Sequence, residues 1–275
     1  MPATTAVTTT TTTTAPCDSC TGNYTWNQTG IILADTASST IPQACCVFLP
    51  GNDTFHICGH TLRFVQSWVT GGASRTAVTN NTGNHIDYIR FNKDENMYTN
   101  AHDKNLVRRY APNFADGTAV DDSYTLYIAD QDNNRVAKLD QNATSSVTSI
   151  NTNGITSKLS ALLLNPFVSN QIYISGDTGN TVYLWTFVAA TPSITNTQVN
   201  CGSTLQAPRS IEMYAFGNLY VADQNNFQVV TYSANSTMGT IILSFTARPM
   251  DLALNSQLNL YVLLDNGKLY KHQLI

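Results

Sequence analysis

Leu126-Tyr127-Ile128-Ala129-Asp130-Gln131-Asp132-Asn133-Asn134-Arg135-Val136 and Leu219-Tyr220-Val221-Ala222-Asp223-Gln224-Asn225-Asn226-Phe227-Gln228-Val229 are two copies of one phrase. Each opens with a short apolar run carrying a tyrosine, the composition of a buried strand. An aspartate follows, then a stretch of Gln and Asn that suits a tight turn. The valine near the end begins a second strand, so each phrase reads as a hairpin. Looser copies begin at Asn96-Met97-Tyr98, Ile172-Tyr173-Ile174 and Leu260-Tyr261-Val262, and the weakest at Thr54-Phe55-His56. The aromatic falls at positions 55, 98, 127, 173, 220 and 261, giving separations of 43, 29, 46, 47 and 41 residues.

Repeats at this period built from short strands predict propeller blades, because one small sheet cannot bury its face alone. Further apolar strands precede the copies at residues 45–49, 86–91, 210–213 and 250–254. The expected fold class is therefore all-β: a six-bladed β-propeller over residues 26–275, preceded by an extended Thr-rich tail over residues 1–25. The last blade lacks an outer strand, and residues 30–34 form a spare one. Pairing it there would tie the two ends together and remove an open edge.

The two strong phrases closely resemble the NHL repeat, a propeller family. Trp26-Asn27-Gln28-Thr29-Gly30-Ile31-Ile32-Leu33 is similar to the opening strand of secreted NHL-repeat proteins. The resemblance implies the propeller fold but leaves function open, since the family holds lyases, lactonase-like enzymes, RNA binders and scaffolds.

Composition narrows the function classes. Apolar residues make up 42% of the 275 residues, enough for a core, while only 12% are charged. Asn, Thr and Ser supply the polar surface, which suits an extracellular protein. A net charge of −4 without a dense Lys/Arg run excludes a nucleic-acid partner, and no segment has the apolar length for membrane insertion. Cys17, Cys20, Cys45, Cys46, Cys58 and Cys201 permit three disulfides. The alternative for Cys17 and Cys20, half of a zinc or redox site, lacks further ligands at knuckle spacing. A hairpin around residues 50–53 sets Cys45 opposite Cys58, so that bridge is expected. Sequons stand at Asn23, Asn27, Asn52, Asn80, Asn142 and Asn235. Thr8, Thr9, Thr10, Thr11, Thr12, Thr13 and Thr14 beside Pro16 read as an O-glycosylated stalk. Met1-Pro2-Ala3 carries neither the charged start nor the apolar stretch of a signal peptide, against the secreted reading.

The chemistry-bearing residues do not assemble into a familiar site. A lyase of this fold is expected to draw histidines from several blades, whereas His56, His60, His85, His102 and His272 leave three blades empty. Lactonase-like members imply a calcium site of one acid and two asparagines from different blades. Asp103, Asp130, Asp177, Asp223 and Asp265 are candidates, but each sits where a strand enters a turn and is expected to cap its own backbone. Trp26, Trp68 and Trp185 read as wall packing. No catalytic or metal residue and no cofactor is therefore assigned.

Residues 98 to 127 leave little chain for an outer strand on the second blade. Leu106, Val107, Arg108, Arg109 and Tyr110 would then form an open edge, to which the β-branched residues 6–14 of another copy could add. The function expected is a non-enzymatic extracellular structural or adhesive glycoprotein, with itself and attached glycans as its partners, polymerising through its tail. The alternative is an NHL-type lyase or lactonase-like hydrolase acting at the central channel.

Overall fold

A computed structural model describes residues 26–35, 44–50, 54–59, 65–69, 75–77, 86, 88–91, 97–101, 106–110, 125–140, 143, 145–200, 202–214 and 216–274. The Thr-rich tail, residues 1–25, lies outside them.

The regular elements among the described residues are strands, apart from two short 3-10 turns. After β1 (Ile31–Asp35), the first sheet runs in order through β2 (Ala44–Phe48), β3 (Thr54–Gly59), β4 (Val65–Val69) and β5 (Arg75–Ala77). The second holds β6 (Ile89–Phe91), β7 (Met97–Ala101) and β8 (Leu106–Tyr110), and the third β9 (Leu126–Asp130), β10 (Arg135–Leu139) and β11 (Val147–Asn151). The fourth holds β12 (Leu159–Leu164), β13 (Gln171–Gly176), β14 (Thr181–Thr186) and β15 (Ile194–Asn196).

The fifth sheet departs from the four-strand pattern. Two-residue strands β16 (Gln198–Val199) and β17 (Ser203–Thr204) precede its meander of β18 (Pro208–Met213), β19 (Leu219–Asp223), β20 (Gln228–Tyr232) and β21 (Met238–Ser244). β16 pairs in parallel with β21 and so covers what would be an open edge. The sixth sheet is β22 (Pro249–Leu254), β23 (Leu260–Leu264) and β24 (Lys268–His272), with β1 added outside β24. Ile31 pairs with Lys271 and Asp35 with Lys268, so the expected closure of the last sheet by an N-terminal strand is present. Gly30 permits it: a Cβ there would lie 2.7 Å from the His272 ring.

Contacts divide these residues into two units. One holds the described residues between Asn27 and Tyr124 and from Ala253 onward; the other holds Trp26 and those between Thr125 and Leu252. In the first, Val47, Phe55, Ile57 and Trp68 pack with Tyr261, Leu263 and Leu269. In the second, Val136 and Ile150 pack with Ile172, Ile174, Tyr183 and Trp185. Neighbouring sheets thus bury each other's faces, the arrangement that makes a blade stable only beside another. Trp185 is fully shielded and donates its indole N–H to the Ala189 carbonyl at 2.9 Å, satisfying its polar atom.

Both strong phrases turn as their composition predicts. A 3-10 turn covers Gln131–Asn133 in one and Gln224–Asn226 in the other, each closed by a left-handed residue: Asn134 at φ 49° and Phe227 at φ 57°. Asparagine tolerates that conformation, but phenylalanine does so at a cost.

Candidate functional site

The repeating aspartates come first. The Asp130 carboxylate accepts from Asn133 Nδ2 at 2.8 Å and from Arg135 Nε at 2.7 Å. The Asp223 carboxylate, fully buried, accepts from the Gln206 backbone N–H at 2.6 Å and from Asn226 Nδ2 and Gln228 Nε2, both at 2.7 Å. The bonds of Asp130 are local, as expected, while Asp223 also reaches back 17 residues to Gln206, which a purely local role does not include. Neither side chain caps its own 3-10 turn; each holds side chains three and five residues on. Replacing Arg135 by Gln228 separates their acidities. Burial is the largest single influence on Asp130 and pushes it up, but the bonds and charge of Arg135 and the bonds of Asn133 together outweigh it and hold the carboxyl below its usual range. At Asp223 burial dominates and three neutral donors do not compensate, so its affinity for protons is raised. Asp103 lies outside the described residues.

Both described histidines belong to the first unit, on strands of different sheets. His56 lies on β3, where burial pushes it down to about 4 and keeps the ring neutral. His272 lies on β24 with Nδ1 2.9 Å from the Asn27 carbonyl; burial lowers it while that bond partly opposes the shift. Neither is on the first strand of a sheet. His60, His85 and His102 lie outside the described residues. The three tryptophans pack as expected: Trp26 edge-on to Tyr220 at 6.0 Å, Trp68 stacked on Phe55 at 5.6 Å, and Trp185 in the core above.

The second unit carries a polar line that local sequence gives no sign of. Ser210, on β18, and Asp251, on β22, occupy corresponding places two residues after a strand-opening proline, and both are only 1% exposed. Ser210 donates to Asp251 Oδ1 at 2.5 Å, and the Leu252 N–H reaches the same oxygen at 2.9 Å and Ser210 Oγ at 3.4 Å. On β12, the neighbouring first strand, Ser160 donates to the Pro208 carbonyl at 2.8 Å, and its Oγ lies 2.8 Å from Ser175 Oγ. A buried carboxylate bonded to a serine hydroxyl is the one such pairing of an acid and a nucleophile among the described residues. It joins two sheets across 41 residues of sequence, so no local pattern reveals it.

These donors do not fit the calcium arrangement of one acid and two asparagines. A hard divalent cation needs six to eight oxygens, and no described first strand carries an asparagine beside Asp251. Among the described residues, the metal-ligating side chains that do gather in a group of three are Cys45, Cys46 and Cys58. Here the expected bridge is corrected. The disulfide joins Cys46 to Cys58, with Cα atoms 5.2 Å apart, because the hairpin register sets Phe48 opposite His56 and Val47 opposite Ile57, and therefore Cys46 opposite Cys58. A hairpin turning at residues 50–53 is one residue out of this register, and so gave the wrong partner. Cys17, Cys20 and Cys201 lie outside the described residues.

Of the sequons, Asn235 is exposed in a turn, and Asn27 is partly buried with its Oδ1 accepting the Thr29 N–H at 2.9 Å. Asn23, Asn52, Asn80, Asn142 and the threonine run fall outside the described residues. The segment Leu106–Tyr110 is β8, paired along its length with Met97–Ala101 as the end strand of its sheet.

The chain resembles solved β-propellers over nearly its whole length. A gluconolactonase from Xanthomonas campestris shares 10% identity, covering 100% of this chain and 99% of that one at a TM-score of 0.71. Virginiamycin B lyase from Staphylococcus aureus shares 10%, covering 91% and 100% at 0.62. The WD40 β-propeller domain of Doa1 shares 10%, covering 84% and 93% at 0.59. No family model matches the chain, and no curated protein does. At these identities the likeness shows the fold: an all-β propeller. It also overturns the expectation of a non-enzymatic, tail-polymerising structural glycoprotein, because a gluconolactonase and a lyase share this architecture end to end.

Proposed function

We propose that the protein is a lactonase-type hydrolase of small cyclic esters, with Ser210 and Asp251 as its reacting pair. The Ser210–Asp251 hydrogen bond carries this reading, supported by the full-length likeness to a gluconolactonase. A carboxylate bonded to a hydroxyl can take its proton as the oxygen attacks an acyl carbon. Ser210 Oγ would add to the lactone carbonyl while Asp251 accepts the hydroxyl proton. The ring C–O bond then breaks, the departing alkoxide takes that proton, and water hydrolyses the acyl-serine. Both groups lie beneath the surface, so turnover is expected to be gated by local opening. Hydrolysis is favoured over a lyase reaction because neither described histidine stands on a first strand.

The test is acid release from a panel of aldonolactones, followed by pH-stat. The wild-type chain is expected to hydrolyse at least one above the buffer rate, and Asp251→Asn to lose about 10²- to 10⁴-fold. Turnover unchanged by Asp251→Asn and Ser210→Ala would refute the pair. Formation of a new carbon–carbon double bond without added water would move the reading to a lyase.

The same reading takes the six sheets as six blades of one NHL-type ring over residues 26–275. It places the protein outside the cell, with Asn235 a more accessible glycan acceptor than Asn27; glycosidase treatment followed by mass analysis checks this.

A further inference from the structure

Successive residues of a strand point to opposite faces, so Cys45 and Cys46 should not both approach one partner. In this protein they do. The bulge at Ala44–Cys46 sets two residues of β2 against one of β3, and that residue is Cys58. While Cys46 holds the disulfide, Cys45 Sγ lies 3.4 Å from Cys58 Sγ, about van der Waals contact for two sulfurs. Cys45 is outside the disulfide and donates its S–H to the Ile86 carbonyl at 3.2 Å. All three sulfurs are buried, packed with Val65, Ile86, Ile89 and Met97. External thiols therefore have little access, while an internal one is already in place.

We infer that this cluster is an intramolecular thiol–disulfide exchange site, in which Cys58 is held alternately by Cys46 and by Cys45. The Cys45 S–H gives up its proton and the thiolate attacks Cys58 Sγ. A Cys45–Cys58 bond forms, the Cys46–Cys58 bond breaks, and its electron pair leaves on Cys46, which takes up a proton. One thiol and one disulfide stand on each side, so no oxidant or reductant is consumed. The two isomers differ in which residue of the bulge is tied down. The exchange thus offers β2 two anchored states, and β2 packs against both β6 and β23 within its unit. The proposal stands independently of the lactonase reading.

The full chain, alkylated under acid quench and mapped without reduction, decides it. In the wild-type protein, label is expected on Cys45 in some molecules and on Cys46 in others, with Cys58 unlabelled throughout. Cys46→Ser is expected to keep a bridge, now Cys45–Cys58, with its mass lower by two hydrogens than the dithiol. Cys45→Ser should keep Cys46–Cys58. Label confined to Cys45 in the wild type, alkylation of Cys58 in Cys46→Ser, or a bridge from Cys45 to any other cysteine would each overturn the proposal. The wild-type map needs no variant to fold.

Discussion

Replacing Asp223 separates two kinds of polar burial. Its carboxylate satisfies the Gln206 N–H and two side-chain amides, and both Asp223 and Gln228 are buried. In Asp223→Ala those donors lose their acceptor in a place water does not reach. A buried donor without a partner costs about 1–3 kcal/mol, and two such groups, the Gln206 N–H and the Gln228 amide, give roughly 2–6 kcal/mol. With a urea slope of about 3 kcal/mol/M, the unfolding midpoint should fall by roughly 1–2 M. Asp223→Asn should behave differently. The asparagine oxygen can keep the Gln206 N–H, and its new NH₂ meets Asn226 and Gln228, whose amides can turn their oxygens toward it. Burial already disfavours the Asp223 charge, so losing it removes an unfavourable term as well. The expected cost of Asp223→Asn is below about 1 kcal/mol. Equilibrium urea unfolding followed by tryptophan fluorescence reads both variants. Equal midpoints for Asp223→Ala and Asp223→Asn, or an Asp223→Ala midpoint unchanged from wild type, would refute the reasoning.

The equivalent Asp130 should respond to pH with the opposite sign. Its folded value lies below the unfolded one, so its contribution is present above the ordinary carboxylate range and lost as pH falls through the folded value. Asp130→Asn should therefore flatten the acid limb of the stability curve; because the Arg135 pair is partly exposed, the loss at neutral pH stays within about 1 kcal/mol. For Asp223 the folded value is raised, so its favourable contribution belongs to low pH and is lost as pH rises through that value. Phe227→Asn installs the residue that the sister phrase uses at the same left-handed position and is expected to raise the urea midpoint by the equivalent of about 0.5–1 kcal/mol. Loss of the ring's contact with Arg248, 6.0 Å away, is too small to reverse that sign; a lower midpoint would show the ring to matter more.

The hairpins were legible because their determinants are local. In Leu219–Asp223 and Gln228–Tyr232, composition marks the strands and Gln224-Asn225-Asn226 marks the turn between them. The closing strand Ile31–Asp35 was legible because the last repeat ended one strand short. The pairing of Cys46 with Cys58 was not: the hairpin closes one residue away from the turn that residues 50–53 suggest, and a one-residue slip decides which of Cys45 and Cys46 stands opposite Cys58. The strands β16 and β17, at two residues each, are too short to carry any period. Ser210 and Asp251 looked like ordinary strand residues, since only the packing of one sheet beside another brings them together.

The pairing of Ile31 with Lys271 has a consequence in time. During synthesis β1 leaves the ribosome early, and its partner appears only after about 240 further residues; at the usual rates of roughly 5–20 residues per second, that is about 10–50 s. Throughout that interval an apolar strand waits with both edges unpaired, and the intervening sheets must form without seizing it. The final β1–β24 contact has the longest loop in the molecule to close and is slow for that reason. A nascent chain stalled before Lys268 would still have that strand waiting, a state a cell's quality-control machinery can recognise.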